Sequence, residues 1–230
     1  MSVLGYNVSM KIGVFDSGIG GTTVLAAIRK LLPDEEYKYI ADSKNCPYGE
    51  KSDEELWRIV AANVEELRNW GAEIIVVACN TATTRCIKYL REKYPGTKFV
   101  GTEPAIKLAA RTNARDVLVM ATPGTIASER TMTLLKENQR DGQKIKLLAC
   151  PGLADAIEKN LGKKNNKIAE KLGELFYELK STDYAPDVIV LGCTHYSLVK
   201  PEIKKFFPSA TLVDGNEGVA RRVGELLHTK

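Results

Sequence analysis

Histidine is nearly absent, with two residues in a chain of 230, and the five cysteines at 46, 79, 86, 150 and 193 are odd in number and nowhere in CxxC spacing. A disulfide framework and a structural zinc site are therefore not expected, and burial as small hydrophobes is the ordinary fate of such thiols. Long apolar runs are also missing. The stretch from Ile74 to Cys79 is far shorter than the ~20 residues that cross a bilayer, which excludes a membrane-spanning helix. Met1 to Met10 has neither a basic start nor a sustained apolar stretch, so it reads as a short extension before the first strand, and the expected compartment is the cytoplasm. Charge of one sign never accumulates: 33 basic and 29 acidic residues are interspersed, and no aromatic-plus-basic module for stacking nucleic-acid bases is found. What the chain has in quantity is apolar residues, 44%, enough for one large α/β domain or two small ones.

Short β-branched runs alternate with helical stretches throughout. Lys11 to Phe15, Tyr37 to Ala41, Glu73 to Ala78, Thr97 to Gly101, Asp116 to Met120, Lys144 to Ala149, Asp187 to Leu191 and Thr211 to Val213 are expected strands. Thr22 to Leu32 and Asp53 to Trp70 are periodic as helices are, and the alternation specifies βαβ units around mainly parallel sheets. Runs such as Ile74-Ile75-Val76-Val77-Ala78 suit strands covered by helices on both faces. A weaker regularity divides the chain into similar halves: one buried strand leads to Cys79-Asn80-Thr81, another to Cys193-Thr194-His195. The strand before Asp16-Ser17-Gly18 matches, loosely, the one before Thr122-Pro123-Gly124.

Ligands of parallel sheets bind at the carboxyl ends of the strands, where Cys79 and Cys193 both fall. A helix beginning just after each is expected to lower its thiol pKa, making these two the reactive candidates. Cys86 in mid-helix and Cys150 beside Pro151 are expected to be buried and inert, and Cys46 before Pro47 incidental. The turn Asp16-Ser17-Gly18-Ile19-Gly20-Gly21 fits neither dinucleotide nor phosphate-loop spacing, and Asp16 would repel phosphate; it suits a cationic or zwitterionic ligand. Cys193 with His195 admits a Cys/His hydrolase, and a two-lobed solute-binding protein is a further alternative. Two matched thiols better suit a racemase, which removes the α-proton from one face of an amino acid and returns one to the other.

Gly13 to Gly21, Pro47-Tyr48-Gly49, Ala78 to Thr83 and Leu191 to Tyr196 resemble, in order, the signatures of the glutamate racemases within the aspartate/glutamate racemase family. The resemblance runs from about Lys11 onward. It implies two pseudo-symmetric α/β lobes, each a mainly parallel sheet flanked by helices, with the active site in the cleft between them. The expected division is 1–103 plus 213–230 for the first lobe and 104–212 for the second. By matching positions, Asp16, Ser17, Tyr48, Gly49, Asn80, Thr81, Thr194 and His195 contact the amino acid. Cys79 and Cys193 are the two acid/bases, Cys79 acting on the D-enantiomer and Cys193 on the L-enantiomer, supported by Asp16, His195 and Glu158. No cofactor and no metal are expected; the expected partners are glutamate and a second copy of the chain in a homodimer, and aspartate is the nearest alternative substrate. Without the resemblance, Tyr48 and Gly49 read as an ordinary turn, Asn80 and Thr81 as a helix cap and Glu158 as a solvated helical face. Where the family commonly has a bulky residue after the proline, this chain has Gly152.

Overall fold

The computed structural model describes residues 9–182 and 184–228; the expected extension before the first strand lies, for residues 1–8, outside them. Strands β1 (Lys11–Asp16), β2 (Glu36–Ala41), β3 (Ile74–Val77) and β4 (Lys98–Gly101) pair in parallel in the order β2-β1-β3-β4. Strands β5 (Asp116–Ala121), β6 (Lys144–Ala149), β7 (Val188–Gly192) and β8 (Thr211–Val213) repeat that order as β6-β5-β7-β8, again all parallel. Each sheet with its helices is one lobe. The expected strands thus form with small shifts at their ends, and the similarity of the two halves extends to topology.

Helices α1 (Thr22–Leu31), α2 (Asp53–Asn69) and α3 (Asn80–Lys93) belong to the first lobe. In the second are α4 (Ile106–Ala110), α5 (Pro123–Ile126), α6 (Glu129–Asn138), α7 (Leu153–Asn160), α8 (Lys167–Lys180) and α9 (Lys200–Phe206). The last, α10 (Asn216–His228), returns to the first lobe, where Val219, Ala220 and Val223 share a core with Val24, Leu25 and Ile28 of α1. Why the strands read as unbroken apolar runs is then plain. Alternate residues point to opposite faces, and both faces are covered: Ile75 and Val77 pack with Leu56, Val60 and Leu90, Ile74 and Val76 with Ile12, Val14 and α10. In the second lobe Leu118, Met120, Ile189 and Leu191 face α7 and α8, while Val117, Val119, Val188 and Val190 face α4 and α6. Full burial of each such side chain contributes about 1.5–3 kcal/mol.

Helix starts carry local signals. Ser52 accepts the Glu55 N–H, with Asp53, Glu54 and Glu55 in the positive first turn of α2. Gly152, the departure from the family pattern, precedes α7 at φ +71°, a left-handed conformation that glycine adopts without strain and a bulky residue would not.

Candidate active site

In a sheet ordered 2-1-3-4 the chain leaves its first strand in one direction and later returns on the other side, opening a crevice between the ends of the first and third strands. Both sheets have this crevice, and the candidate residues stand in it. Asp16 ends β1, Cys79 follows β3, Thr122 follows β5, and Cys193 follows β7. Asp16 and His195 are fully buried, and Cys79 and Cys193 are 5% and 7% exposed, so the lobes are closed over them.

Asp16 ties the lobes together. Its Oδ2 accepts the Gly21 N–H at 2.7 Å within the first lobe and the Thr194 hydroxyl at 3.1 Å from the second, while Oδ1 has no partner among the described residues. Cys79 donates to Ser17 Oγ at 3.8 Å. Across the cleft Cys193 Sγ lies 3.9 Å from His195 Nδ1, whose Nε2 is 2.7 Å from Glu158 Oε2. Glu158, on α7, reaches into the first lobe as well: Oε2 accepts the Ile19 N–H at 2.9 Å and Oε1 the Ser43 hydroxyl. It is therefore no solvated helical face. Close approach of the lobes depends on glycine, since a Cβ at Gly18 would collide with the Glu158 carboxylate and one at Gly20 would lie 2.6 Å from His195 Nδ1.

Electrostatics follow from burial. It pushes the Asp16 carboxyl above the usual carboxylate range, against the pull of His195, of the nearby Gly21 and Ser17 N–H groups and of the Thr194 hydroxyl. Cys79 is pushed well above the ordinary thiol value, first by burial and then by the Asp16 charge, which corrects the expectation of a lowered pKa; an Ala82 N–H at the start of α3 opposes both and is outweighed. Around Cys193 the arrangement differs. Burial works against the His195 charge, but Cys193 and Glu158 raise its pKa to about 10. Burial pushes Glu158 up, yet His195, Ser43 and the Ile19 N–H outweigh it and hold the carboxyl at about 2. At neutral pH His195 and Glu158 form an ion pair.

The remaining expected contacts divide. Asn80 and Thr81 are buried in the first turn of α3, and Thr81 Oγ1 meets Thr122 Oγ1 at 2.8 Å and Thr125 Oγ1 at 3.1 Å across the lobe boundary. Gly49 packs against Thr122, with room for no Cβ. The Tyr48 hydroxyl is already occupied, donating to Asp42 at 2.6 Å and accepting from Asn63 at 3.0 Å. Thr122, Thr125, Ser43 and Cys46 were not anticipated. Thr122 had a signal in the repeat, as the counterpart of Asp16; Cys46 had none, although its Sγ forms with Glu158 and His195 a set of donors within 4.8 Å of one another. Cys86 and Cys150 are buried as expected. Beside the threonines a groove of about 590 Å³ opens between the lobes, lined among others by Gly49, Lys51, Arg85, Gly124 and Ser128, and neither thiol reaches it.

Fold and site together define a two-lobed α/β protein with two thiols, a histidine and two carboxylates buried where the lobes meet. The family model described as Asp/Glu/hydantoin racemase matches residues 19–223. A glutamate racemase of Roseiflexus sp. is 40% identical over 95% of this chain and 80% of its own length, and one of Clostridium acetobutylicum 39% over 92% and 82%. The crystal structure of Escherichia coli glutamate racemase, in complex with L-glutamate and the activator UDP-MurNAc-Ala, superposes with a TM-score of 0.88 at 35% identity over 96% of this chain and 84% of that one. The chain belongs to the Asp/Glu/hydantoin racemase family and is an isomerase. That membership decides against the hydrolase and the solute-binding protein, even though Cys193, His195 and Glu158 have the order of a hydrolytic triad.

Proposed function

We propose that this racemase interconverts L- and D-glutamate by a two-base mechanism, with Cys79 and Cys193 as the acid/bases and no cofactor. One observation carries the reading: the two thiols follow the equivalent third strands of two identically ordered sheets, whose following turns bond across the lobe boundary. Related glutamate racemases and a relative solved with L-glutamate support the substrate. Cys79 takes the α-proton of D-glutamate while the Cys193 thiol gives one to the opposite face, and the roles exchange for L-glutamate. The raised Cys79 pKa keeps that thiol protonated in the closed site. The substrate's ammonium group, received on the unpartnered Oδ1 of Asp16, supplies the positive charge that lets the thiolate form. His195, held by Glu158, serves Cys193 in the same way. Ser17, Tyr48, Gly49, Asn80, Thr81 and Thr194 complete the binding site, Tyr48 through the turn it anchors.

The reading extends to the whole protein: a cytoplasmic homodimer supplying D-glutamate for peptidoglycan, divided into lobes at 1–103 plus 213–230 and 104–212, without nucleic-acid partners. No helix among the described residues is long and apolar enough to cross a membrane. The test is racemisation in deuterium oxide by protein dialysed free of metals and pyridoxal phosphate. Deuterium should enter Cα of the newly formed enantiomer and hardly at all the unreacted one, and Cys79→Ala or Cys193→Ala should each lose about 1000-fold or more in both directions. Near-normal turnover of either variant would overturn the two-thiol mechanism, and equal rates on aspartate would overturn glutamate as the substrate.

A further inference from the structure

The proposed mechanism leaves Cys46 without a task, yet its sulfur stands beside two groups that the mechanism needs. Cys46 Sγ, a Glu158 carboxylate oxygen and a His195 ring nitrogen lie within 4.8 Å of one another. Thiolate, imidazole and carboxylate are the three ligand types that tetrahedral zinc takes, at about 2.0–2.3 Å each, so donors around such an ion stand about 3.5 Å apart. The wider gaps to Cys46 would have to contract by up to about an ångström and the His195–Glu158 pair to open by nearly as much. The negative charges of Glu158, Asp16 and Asp155 all act on Cys46, which makes the place attractive to a cation. Cys46 is only half-buried, so an ion from solvent has access.

We propose that Cys46, Glu158 and His195 form an inhibitory site for zinc or another thiolate-preferring divalent cation, bound across the lobe boundary. The ion enters between His195 Nε2 and Glu158 Oε2, which now bond directly at 2.7 Å. Cys46 and His195 each release a proton to solvent, water fills the fourth position, and nothing is oxidised. Cys46 comes from the first lobe, on the loop after β2, whereas Glu158 and His195 belong to the second. The metal therefore fastens the lobes shut while it takes His195 away from Cys193. Both effects stop turnover without touching either catalytic thiol.

The test uses the full chain, freed of chelator and reductant. Zinc titrated against a chromophoric chelator should bind at one equivalent per chain, and Cys46→Ala or Glu158→Gln should weaken it at least tenfold, while Cys86→Ala, remote from the cluster, leaves it unchanged. Cobalt should give a thiolate charge-transfer band that Cys46→Ala abolishes. Zinc should inhibit racemisation by the unaltered protein, whereas Cys46→Ala keeps its basal rate and resists zinc at tenfold higher concentration. Unchanged zinc affinity and cobalt band in Cys46→Ala would place the ion on other thiols and overturn the proposal. The binding arms stand without any turnover, so failure of the racemase reading and failure of the metal site are told apart.

Discussion

At the residue scale the ion pair of His195 and Glu158 makes the sharpest statement about pH. His195 is raised from 6.5 to about 10, so its contribution to stability is full below pH 6.5 and lost as pH rises through about 10. Glu158 is lowered from 4.5 to about 2, so its contribution is present above pH 4.5 and lost as pH falls through about 2. The pair therefore stabilises most between pH 4.5 and 6.5. Glu158→Gln should lose most thermal stability in that window, and its imidazole should titrate well below pH 10. With two histidines in the chain, the nuclear magnetic resonance titration is easily assigned. An unchanged His195 titration in Glu158→Gln would show that the carboxylate does not hold the charge. Glu158, the partner that matters here, is expected only through the family resemblance and without it reads as a solvated helical face. Cys79 and Cys193 were legible because a reactive group at the end of a buried strand is a local pattern. The bond from Asp16 to Thr194 spans 178 positions and that from Ser43 to Glu158 spans 115, and no local pattern encodes such a meeting.

At the scale of elements, what decides the site is how near the turn after β1 comes to the turn after β7. A Cβ at Gly20 would stand 2.5 Å from the His195 backbone nitrogen, which cannot move aside as a flexible side chain would. Gly20→Ala should lower stability by about 1–3 kcal/mol and reduce turnover far more than the fold content seen by circular dichroism. Full activity in this variant would mean that the turns part without cost. All eight strands were legible, because double-sided burial leaves an unbroken apolar run, and so were α1 and α2, which keep their 3.6-residue period; the remaining helices were given no ranges from the sequence. The outer strands β2 and β6, mostly half-buried, are the exception in character: their first four residues alternate charged and apolar, yet parallel pairing to β1 and β5 holds them in place. Less legible were the short 3-10 turns at Ser43–Asn45 and Thr194–Val199, which bond to the opposite lobe through Ser43 with Glu158 and Thr194 with Asp16.

At the scale of the whole molecule, closure is the governing property, since the two thiols of the proposed mechanism are 5% and 7% exposed. Alkylation of Cys79 and Cys193 should therefore level off with rising reagent concentration at the rate of lobe opening, while the half-buried Cys46 reacts in simple proportion to reagent. A strictly proportional rate at the two buried thiols would mean that they are reached without any opening. The chain crosses between lobes twice, after β4 and after β8, and a Cβ at Gly215 on the second crossing would lie 3.1 Å from the Glu103 carbonyl on the first. Thr102 is tied to the first lobe through Thr83 and Val77, whereas Glu103 is tied to Arg130 and Asp214 to Ser197 and Lys200 in the second. Two threads laid side by side and pinned at both ends behave like a door hinge and not a ball joint, leaving one free angle. On the proposed mechanism both mirror forms of the substrate would pass as that one angle opens. A change at the joint would then slow the forward and reverse conversions by the same factor, leaving their balance where chemistry sets it.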